Sequence, residues 1–124
     1  MLFENQTFTD FDTPPNNGGG DVYRDCTFDG LQCKPISLSS SVFTSCNFND
    51  VWFYYVVIDN VVFSECSFKK CTFSGVGIFM NRFVDCVFEA CVFNEDSMDG
   101  KCSFSDNKWY GCARTNCEGF TADW

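Results

Sequence analysis

The sequence predicts an all-β, four-sided solenoid in which every side is one short strand and every turn adds a layer. Sixteen successive positions at intervals of five, from Tyr23 to Met98, are apolar and mostly aromatic. A period of five fits neither the 3.6 of a helix nor the 2 of an ordinary strand. Self-similarity at a fixed period is typical of a repeat architecture.

A second period of twenty lies on top of the first, because like residues recur at every fourth of these positions. The columns are Phe28, Phe48, Phe68 and Phe88; Phe53, Phe73 and Phe93; Phe43, Phe63 and Phe83; and Leu38, Ile58, Ile78 and Met98. Five residues per side and twenty per turn describe a four-sided coil. Like residues that stack on like in successive layers keep sheets flat.

The position two residues before each central residue is also restricted in type, since small or medium apolar residues dominate there. Both positions are therefore expected to point inward, and the polar residues between them suit an outer wall and its corners. The pattern recurs in short stretches: Cys26-Thr27-Phe28, Cys46-Asn47-Phe48, Cys66-Ser67-Phe68, Cys71-Thr72-Phe73, Cys86-Val87-Phe88 and Cys91-Val92-Phe93.

These stretches resemble the repeating unit of the pentapeptide-repeat family. The resemblance covers about four-fifths of the chain and implies a right-handed quadrilateral β-helix. At twenty residues per turn, the length gives room for about six coils. We expect a single domain over residues 1–124, with an irregular loop at 12–20 and a C-terminal cap at 110–124.

One residue is predicted to be inserted between Met98 and Cys102, after which Phe104 and Trp109 resume the five-residue spacing. This insertion fixes the expected columns of the C-terminal residues. The cysteines are expected in two columns. One contains Cys26, Cys46, Cys66 and Cys86, and the other contains Cys71, Cys91 and, allowing for the insertion, Cys112.

The ten cysteines are predicted to be mostly buried free thiols. Side chains in successive layers lie slightly farther apart than the ~3.5–4.5 Å between Cβ atoms that a disulfide needs. The exceptions that could pair occupy irregular or terminal positions: Cys33, Cys102, Cys112 and Cys117. The chain has no histidine and no Cys-x-x-Cys, so no metal site and no cofactor are predicted.

Catalysis is not expected, because histidine, the usual general base, is missing and no phosphate-binding glycine loop opens a helix. A formal net charge of −9 opposes direct nucleic-acid binding. No apolar run reaches the ~18–20 residues of a membrane span. Free thiols favour a reducing compartment such as the cytoplasm, with an extracellular or luminal location as the alternative.

Two surfaces are candidates for partner binding. Outer positions at twenty-residue intervals form an acidic column, interrupted at Ser45: Asp25, Glu65, Asp85 and, after the insertion, Asp106. The column could imitate the phosphate row of DNA, or it could be a solvated wall that keeps a flat sheet from aggregating.

The second surface is aromatic. Four residues flank the inward Phe53 and Val56 and are therefore expected to face outward: Trp52, Tyr54, Tyr55 and Val57. Exposed Trp and Tyr are enriched at binding hot spots, although aromatic and β-branched residues also suit strands in general.

Two branches of the family resemblance suggest different partners. The segment Cys102 to Gly111 is similar to coils of gyrase-protecting members, which resemble DNA and bind DNA gyrase. The segments Phe3 to Asp10 and Cys102 to Cys112 resemble the luminal domain of the synaptic vesicle glycoprotein 2 transporters, which clostridial neurotoxins bind. In the second setting, Asn5-Gln6-Thr7 would be a glycosylation acceptor at Asn5.

The sequence thus predicts a non-enzymatic β-helical scaffold that binds a protein partner through its walls or its open end strands. The first alternative is an acidic DNA mimic that binds gyrase or topoisomerase. Further alternatives are a luminal or extracellular receptor domain and a structural protein that self-assembles by end-to-end stacking.

Overall fold

The structure is a computed structural model that describes residues 2–9, 20–30, 32–33, 37–54, 56–95 and 100–119. Twenty strands of two or three residues form four parallel sheets, and consecutive strands belong to consecutive sheets. The four sheets are the sides of a coil, called walls 1 to 4 in chain order. The predicted four-sided β-helix is confirmed.

Walls 1 and 2 have six described strands each, and walls 3 and 4 have four each. Wall 1 consists of β1 (Leu2–Glu4), β3 (Val22–Arg24), β7 (Val42–Thr44), β11 (Val62–Ser64), β15 (Arg82–Val84) and β19 (Lys108–Tyr110). Wall 2 consists of β2 (Thr7–Phe8), β4 (Thr27–Asp29), β8 (Asn47–Asn49), β12 (Ser67–Lys69), β16 (Val87–Glu89) and β20 (Ala113–Thr115).

The other two walls complete each coil. Wall 3 consists of β5 (Gln32–Cys33), β9 (Trp52–Tyr54), β13 (Thr72–Ser74) and β17 (Val92–Asn94). Wall 4 consists of β6 (Ser37–Ser39), β10 (Val57–Asp59), β14 (Gly77–Phe79) and β18 (Ser103–Ser105). Layers 1 to 6 are numbered by the wall 1 strand with which each begins.

Corners between walls depend on residues in the left-handed backbone region. Asn5, Asp25, Ser45, Glu65 and Asp85, at one corner, have φ between 51° and 55°. At each of these corners the amide N–H donates to a carbonyl of the next layer, as Asp25 does to Thr44 O at 3.0 Å. Left-handed backbone is costly for non-glycine residues, so the hydrogen bonds between layers must hold it in place.

Aromatic rings fill the interior in stacked columns, as the twenty-residue period predicts. Phe68 stacks on Phe48 at 4.6 Å and on Phe88 at 4.7 Å between ring centroids. The neighbouring column runs through Phe43, Phe63 and Phe83 and ends on Trp109, at 4.3 Å from Phe83. Rings of adjacent columns meet edge to face, so both favourable aromatic geometries occur in one core.

Nine cysteines are free thiols that point inward beside the rings: Cys26, Cys46, Cys66, Cys71, Cys86, Cys91, Cys102, Cys112 and Cys117. Each stacked thiol lies close to a backbone carbonyl oxygen of the layer before it. Cys66 Sγ donates to Phe43 O at 3.3 Å and Cys91 Sγ to Phe68 O at 3.2 Å. Thiols therefore act here as small apolar fillers that also supply a weak hydrogen bond.

Asn81 occupies an inward position, two residues before Phe83, and its side chain is completely buried. Its amide donates to Ile58 O and accepts from Val61 N, both at 2.9 Å. The Asn107 side chain repeats the arrangement one layer later by donating to Ile78 O. A buried amide is tolerated because neighbouring backbone groups satisfy its donors and its acceptor.

The predicted insertion of one residue is wrong in size. Ile78 pairs with Phe104 and Phe83 with Trp109, which makes this turn 26 residues long instead of twenty. The turn therefore carries six extra residues between β17 and β18. Phe104, and not Met98, occupies the place next to Ile78, and Met98 itself lies outside the described residues.

The same shift corrects the cysteine columns. Cys112 follows Cys86, because Ala113 N donates to Cys86 O and Cys112 Sγ contacts Phe83 O. Cys117 follows Cys91 in the same way. Both residues hold regular inward positions in layer 6, and Cys102 holds one in layer 5, because Ser103 N donates to Val76 O.

About six coils were expected, and the count is lower. The described strands make four complete coils, with half a coil on walls 1 and 2 at each end. Most of the predicted loop at 12–20 and the last five residues of the predicted cap at 110–124 lie outside the described residues. Within the cap, β20 continues wall 2, and Arg114 takes the central place held by Phe88.

None of the described residues belongs to a helix that is long and apolar enough to cross a membrane.

Removal of a mid-column ring tests the packing of the core. Phe68 is 2% exposed between two stacked rings, so Phe68→Ala should lower the free energy of unfolding by about 3–5 kcal/mol. Urea unfolding followed by circular dichroism measures the change. Val87→Ala, at a side chain 42% exposed, should change it by about 0.5 kcal/mol or less. Equal losses in both variants would contradict the packing.

Thiol alkylation tests the inward cysteine columns. At pH 8, iodoacetamide should modify Cys102, Cys112 and Cys117 before any of the six fully buried thiols, because attack needs an exposed thiolate. Burial raises the pKa of the Cys112 and Cys117 thiols, so even these should react more slowly than a free cysteine. Peptide mass spectrometry over time measures the order, and early labelling of Cys66 or Cys71 in folded protein would refute it.

Candidate protein-binding surfaces

An aromatic surface lies where walls 3 and 4 meet. The sequence places Trp52 and Tyr54 on β9 on either side of Phe53, which is 2% exposed. Strand alternation therefore turns both outward. Val57 begins β10 beyond the corner and is 41% exposed, and Trp52 is 37% exposed. Tyr55, predicted with this group, lies outside the described residues.

The indole of Trp52 is held in place by the next layer. Its Nε1–H donates to Ser74 Oγ at 3.0 Å, and Ser74 Oγ donates in turn to Asn94 Oδ1. The Trp52 ring also meets the Tyr54 ring edge to face, at 5.1 Å between centroids. Ser74 is only 4% exposed although it lies on the outer side of β13. The indole is thus laid across the wall with part of its surface still open to solvent.

Phe79 extends this surface on wall 4 and was missed from the sequence. Gly77 pairs in register with Val57, and the Phe79 ring lies 2.6 Å from where a Cβ on Gly77 would stand. The ring is therefore folded back over Gly77, beside Val57. A glycine two residues before an outward phenylalanine was the available signal. Trp52, Tyr54, Val57 and Phe79 are called the aromatic patch below.

The acidic residues form a second surface at the corner between walls 1 and 2. Asp25, Glu65 and Asp85 are all exposed there, in left-handed backbone, and Ser45 interrupts them. These three are called the acidic corner. Asn5 is the first residue of the same corner and is exposed, and its backbone N–H donates to Arg24 O at 3.0 Å. Its side chain is thus on the surface, where a glycan could be attached.

Asp106 does not belong to the acidic corner, contrary to the prediction. Met80 N donates to Ser105 O, so Asp106 follows Met80 at the corner between walls 4 and 1. Gly111 takes the place next to Asp85, and Asp85 Oδ1 lies 2.5 Å from where its Cβ would be. The longer turn is the physical reason, because it has five residues more than predicted and so sets every later side chain back by one corner.

Charge density separates the acidic corner from a strand of DNA. Three carboxylates are spread over four layers, or roughly 14 Å at ~4.8 Å per layer, whereas duplex DNA carries one charge per ~1.7 Å of axis. Cations also lie on the adjacent wall 1, where Arg24 Nη1 is 3.3 Å from Glu4 Oε2. The corner is a discrete acidic edge rather than a continuous anionic row.

Among the described residues, no three His, Cys, Asp or Glu side chains are grouped closely enough to hold a metal ion.

The chain matches no protein-family model and no curated protein. It does resemble solved structures. QnrB1, a plasmid-mediated fluoroquinolone resistance protein, aligns in the form of a trypsin-treated point variant with a TM-score of 0.59 and 14% identity, over 94% of this chain and 67% of that one. Full-length QnrB1 aligns with a TM-score of 0.58 and 11% identity, over 94% and 68%.

A pentapeptide repeat protein, Rfr23 from the cyanobacterium Cyanothece 51142, aligns with a TM-score of 0.42 and 7% identity, over 94% of this chain and 82% of that one. At such identities, a likeness establishes shared fold rather than shared function. The five-residue sides, the twenty-residue turns and the QnrB1 alignments agree with one another. The resemblance drawn from the sequence is confirmed, and the chain has the fold of the pentapeptide-repeat proteins.

Proposed function

We propose that this β-helical scaffold binds a protein partner through the aromatic patch. The observation that supports it best is the fixed indole of Trp52, which is hydrogen-bonded to Ser74 and remains 37% exposed. Trp and Tyr are the residues most enriched at hot spots of protein interfaces. A side chain that is already held in position loses little conformational freedom on binding.

The shape of the surface favours a macromolecule over a small ligand. Small-molecule sites are concave and bury most of their ligand, whereas the aromatic patch spreads over two flat walls of a rigid coil. A partner with a protruding apolar side chain could pack between the Trp52 ring and Val57, with Phe79 beyond it. Strands on either side of the patch are stacked in full layers, so little rearrangement is needed.

Carboxylates lie at two places on the rim of the patch. Asp50 is exposed at the corner before β9, and Asp59, on β10, accepts a hydrogen bond from Ser39. Lys70 follows Asp50 at the same corner one layer later and offsets its charge. The Asp59 side of the rim therefore favours a basic group on the partner, and the association rate should fall as salt rises.

The acidic DNA mimic that binds gyrase or topoisomerase stays a prediction, as do the luminal receptor domain and end-to-end assembly. The spacing of the acidic corner supports the mimic less well than the aromatic patch supports a protein contact. The role that we propose is non-enzymatic, because side chains fill the interior of the described coil and the chain has no histidine to act as a general base.

Site-specific photo-crosslinking tests the proposal. Val57 and Val87 are a matched pair, 41% and 42% exposed, on walls 4 and 2. p-Benzoylphenylalanine at position 57 should capture a protein from the native host that the same probe at position 87 does not capture. The captured band, identified by mass spectrometry, should then bind the purified chain in a direct titration.

Trp52→Ala, made with the wild-type residue at position 57, should raise the dissociation constant measured in that titration by about tenfold or more, as expected for loss of a hot spot. Ser74→Ala should raise it less, because this change removes only the hydrogen bond that holds the ring. Thermal unfolding of each variant shows that the fold is intact. Equal capture from positions 57 and 87, or binding unchanged in Trp52→Ala, would refute the aromatic patch as the binding surface.

A further inference from the structure

Wall 1 differs from the other walls in the pattern of its outward side chains. They form two columns, which are Leu2, Val22, Val42, Val62, Arg82 and Lys108, and then Glu4, Arg24, Thr44, Ser64, Val84 and Tyr110. The middle of the wall, in layers 3 and 4, is uncharged, because only Val42, Thr44, Val62 and Ser64 face outward there. These four are half-buried, as expected of side chains on a flat ladder.

The two edges of wall 1 carry opposite features in the same layers. One edge is the acidic corner, with Glu65 in layer 4 and Asp85 in layer 5. Beside the other edge lies an open cleft of about 290 Å³, whose lining includes Met80, Arg82, Asp106 and Lys108. Arg82 and Lys108 pair in register, so two cations are stacked at the edge of this cleft.

Met80 gives the cleft an apolar rim. It is 56% exposed and occupies a left-handed corner, with φ of 54°. Its apolar side chain is therefore in contact with water, and covering it would be favourable. Asp106 lies on the same cleft and leaves it with one net positive charge. The cleft thus combines a cation excess with apolar surface, and it faces away from the acidic corner of its own chain.

This arrangement is self-complementary. A twofold axis through the middle of wall 1, parallel to the axis of the coil, places each layer against the same layer of a second copy and exchanges the two edges. Asp85 of one copy then approaches Arg82 of the other, and the reverse contact forms by symmetry, as in any isologous interface. The uncharged middles of both walls meet between these two contacts.

We propose that wall 1 is the surface through which two copies of this chain associate, side by side and parallel. Asp85 and Glu65 of each copy lie at the cleft of the other, where Arg82 and Lys108 balance them. Val42 and Val62 pack against Thr44 and Ser64 across the axis.

The other walls fit a second copy less well. The outer side of wall 2 carries unlike charges near its middle, at Asp29, Lys69 and Glu89. The described strands of walls 3 and 4 carry Trp52 and Phe79 and no outward cation that could balance a carboxylate of a second copy. Wall 1 spans about 29 Å in six layers of ~4.8 Å. At a width of ~10 Å, this gives roughly 290 Å² per copy and roughly 580 Å² in total, which is below the ~1,000 Å² of a stable specific interface. A weak, transient dimer is therefore expected, and its charge pairs rather than its area determine the pairing.

The inference uses none of the residues of the aromatic patch, although wall 4 adjoins wall 1 and Phe79 precedes Met80 at the rim of the cleft.

Sedimentation velocity from about 10 μM to about 1 mM protein, at low salt, tests the dimer. Arg82→Asp and Asp85→Arg should each weaken dimerisation by about tenfold or more, since close interfacial charge pairs contribute strongly. The double variant, Arg82→Asp with Asp85→Arg, should return the dissociation constant to within about threefold of wild type, because the swap re-forms both pairs. Position 85 should accept Arg, since Lys70 holds the equivalent conformation at φ of 55°.

Lys69→Glu is the matched control, because it reverses a charge of the same sign on wall 2 and should leave the dissociation constant unchanged. Thermal unfolding of every variant checks the fold. A monomer at the highest concentration would overturn the inference. So would a dimer that the two single variants leave intact, as end-to-end stacking would, or one that the double variant fails to restore.

Discussion

The spacing of hydrogen-bonded strands and the stacking distance of aromatic rings are nearly equal, and the rest of this structure depends on that match. Neighbouring strands lie ~4.7–4.9 Å apart, and the parallel rings of the core stack at 4.3–5.1 Å between centroids. A twenty-residue turn therefore satisfies backbone hydrogen bonds and ring packing together. Every wall is then fixed in register, and each outward residue has a defined neighbour above and below.

That match has a local cost at the corners. A corner at every fifth residue requires left-handed backbone, and residues as large as Met80, Lys70 and Glu65 adopt it. Hydrogen bonds between corners of adjacent layers offset the strain by tying each bend to the next. The corners consequently form straight, exposed edges, and this is why charged residues of distant sequence position come together at the acidic corner.

Much of this could be predicted from the sequence, because period and phase determine which side chains point inward. The Phe columns, the outward Trp52 and the common corner of Asp25 and Asp85 follow from counting alone. The size of the insertion does not, because one and six extra residues leave the same five-residue phase. Only the hydrogen bonds between β14 and β18 distinguish Phe104 from Met98 as the neighbour of Ile78. Asp106 and Cys112 were misplaced for that single reason.

The walls of the coil have different surfaces on one rigid frame. The aromatic patch is on walls 3 and 4, and the self-complementary wall 1 is opposite wall 3. A dimer formed through wall 1 would present two aromatic patches, facing away from each other. Two linked sites can raise the apparent affinity for a multivalent partner without any new contact, so a scaffold role and self-association support each other.

The register after the long turn is the claim on which every C-terminal surface residue depends, including the stacked Arg82 and Lys108. Nuclear Overhauser effects between the Ile78 and Phe104 side chains, and between Phe83 and Trp109, measure it directly in solution. The structure predicts strong effects for both pairs, since each occupies adjacent layers of one wall. Strong effects between Ile78 and Met98 in their place would contradict it and would return Asp106 to the acidic corner.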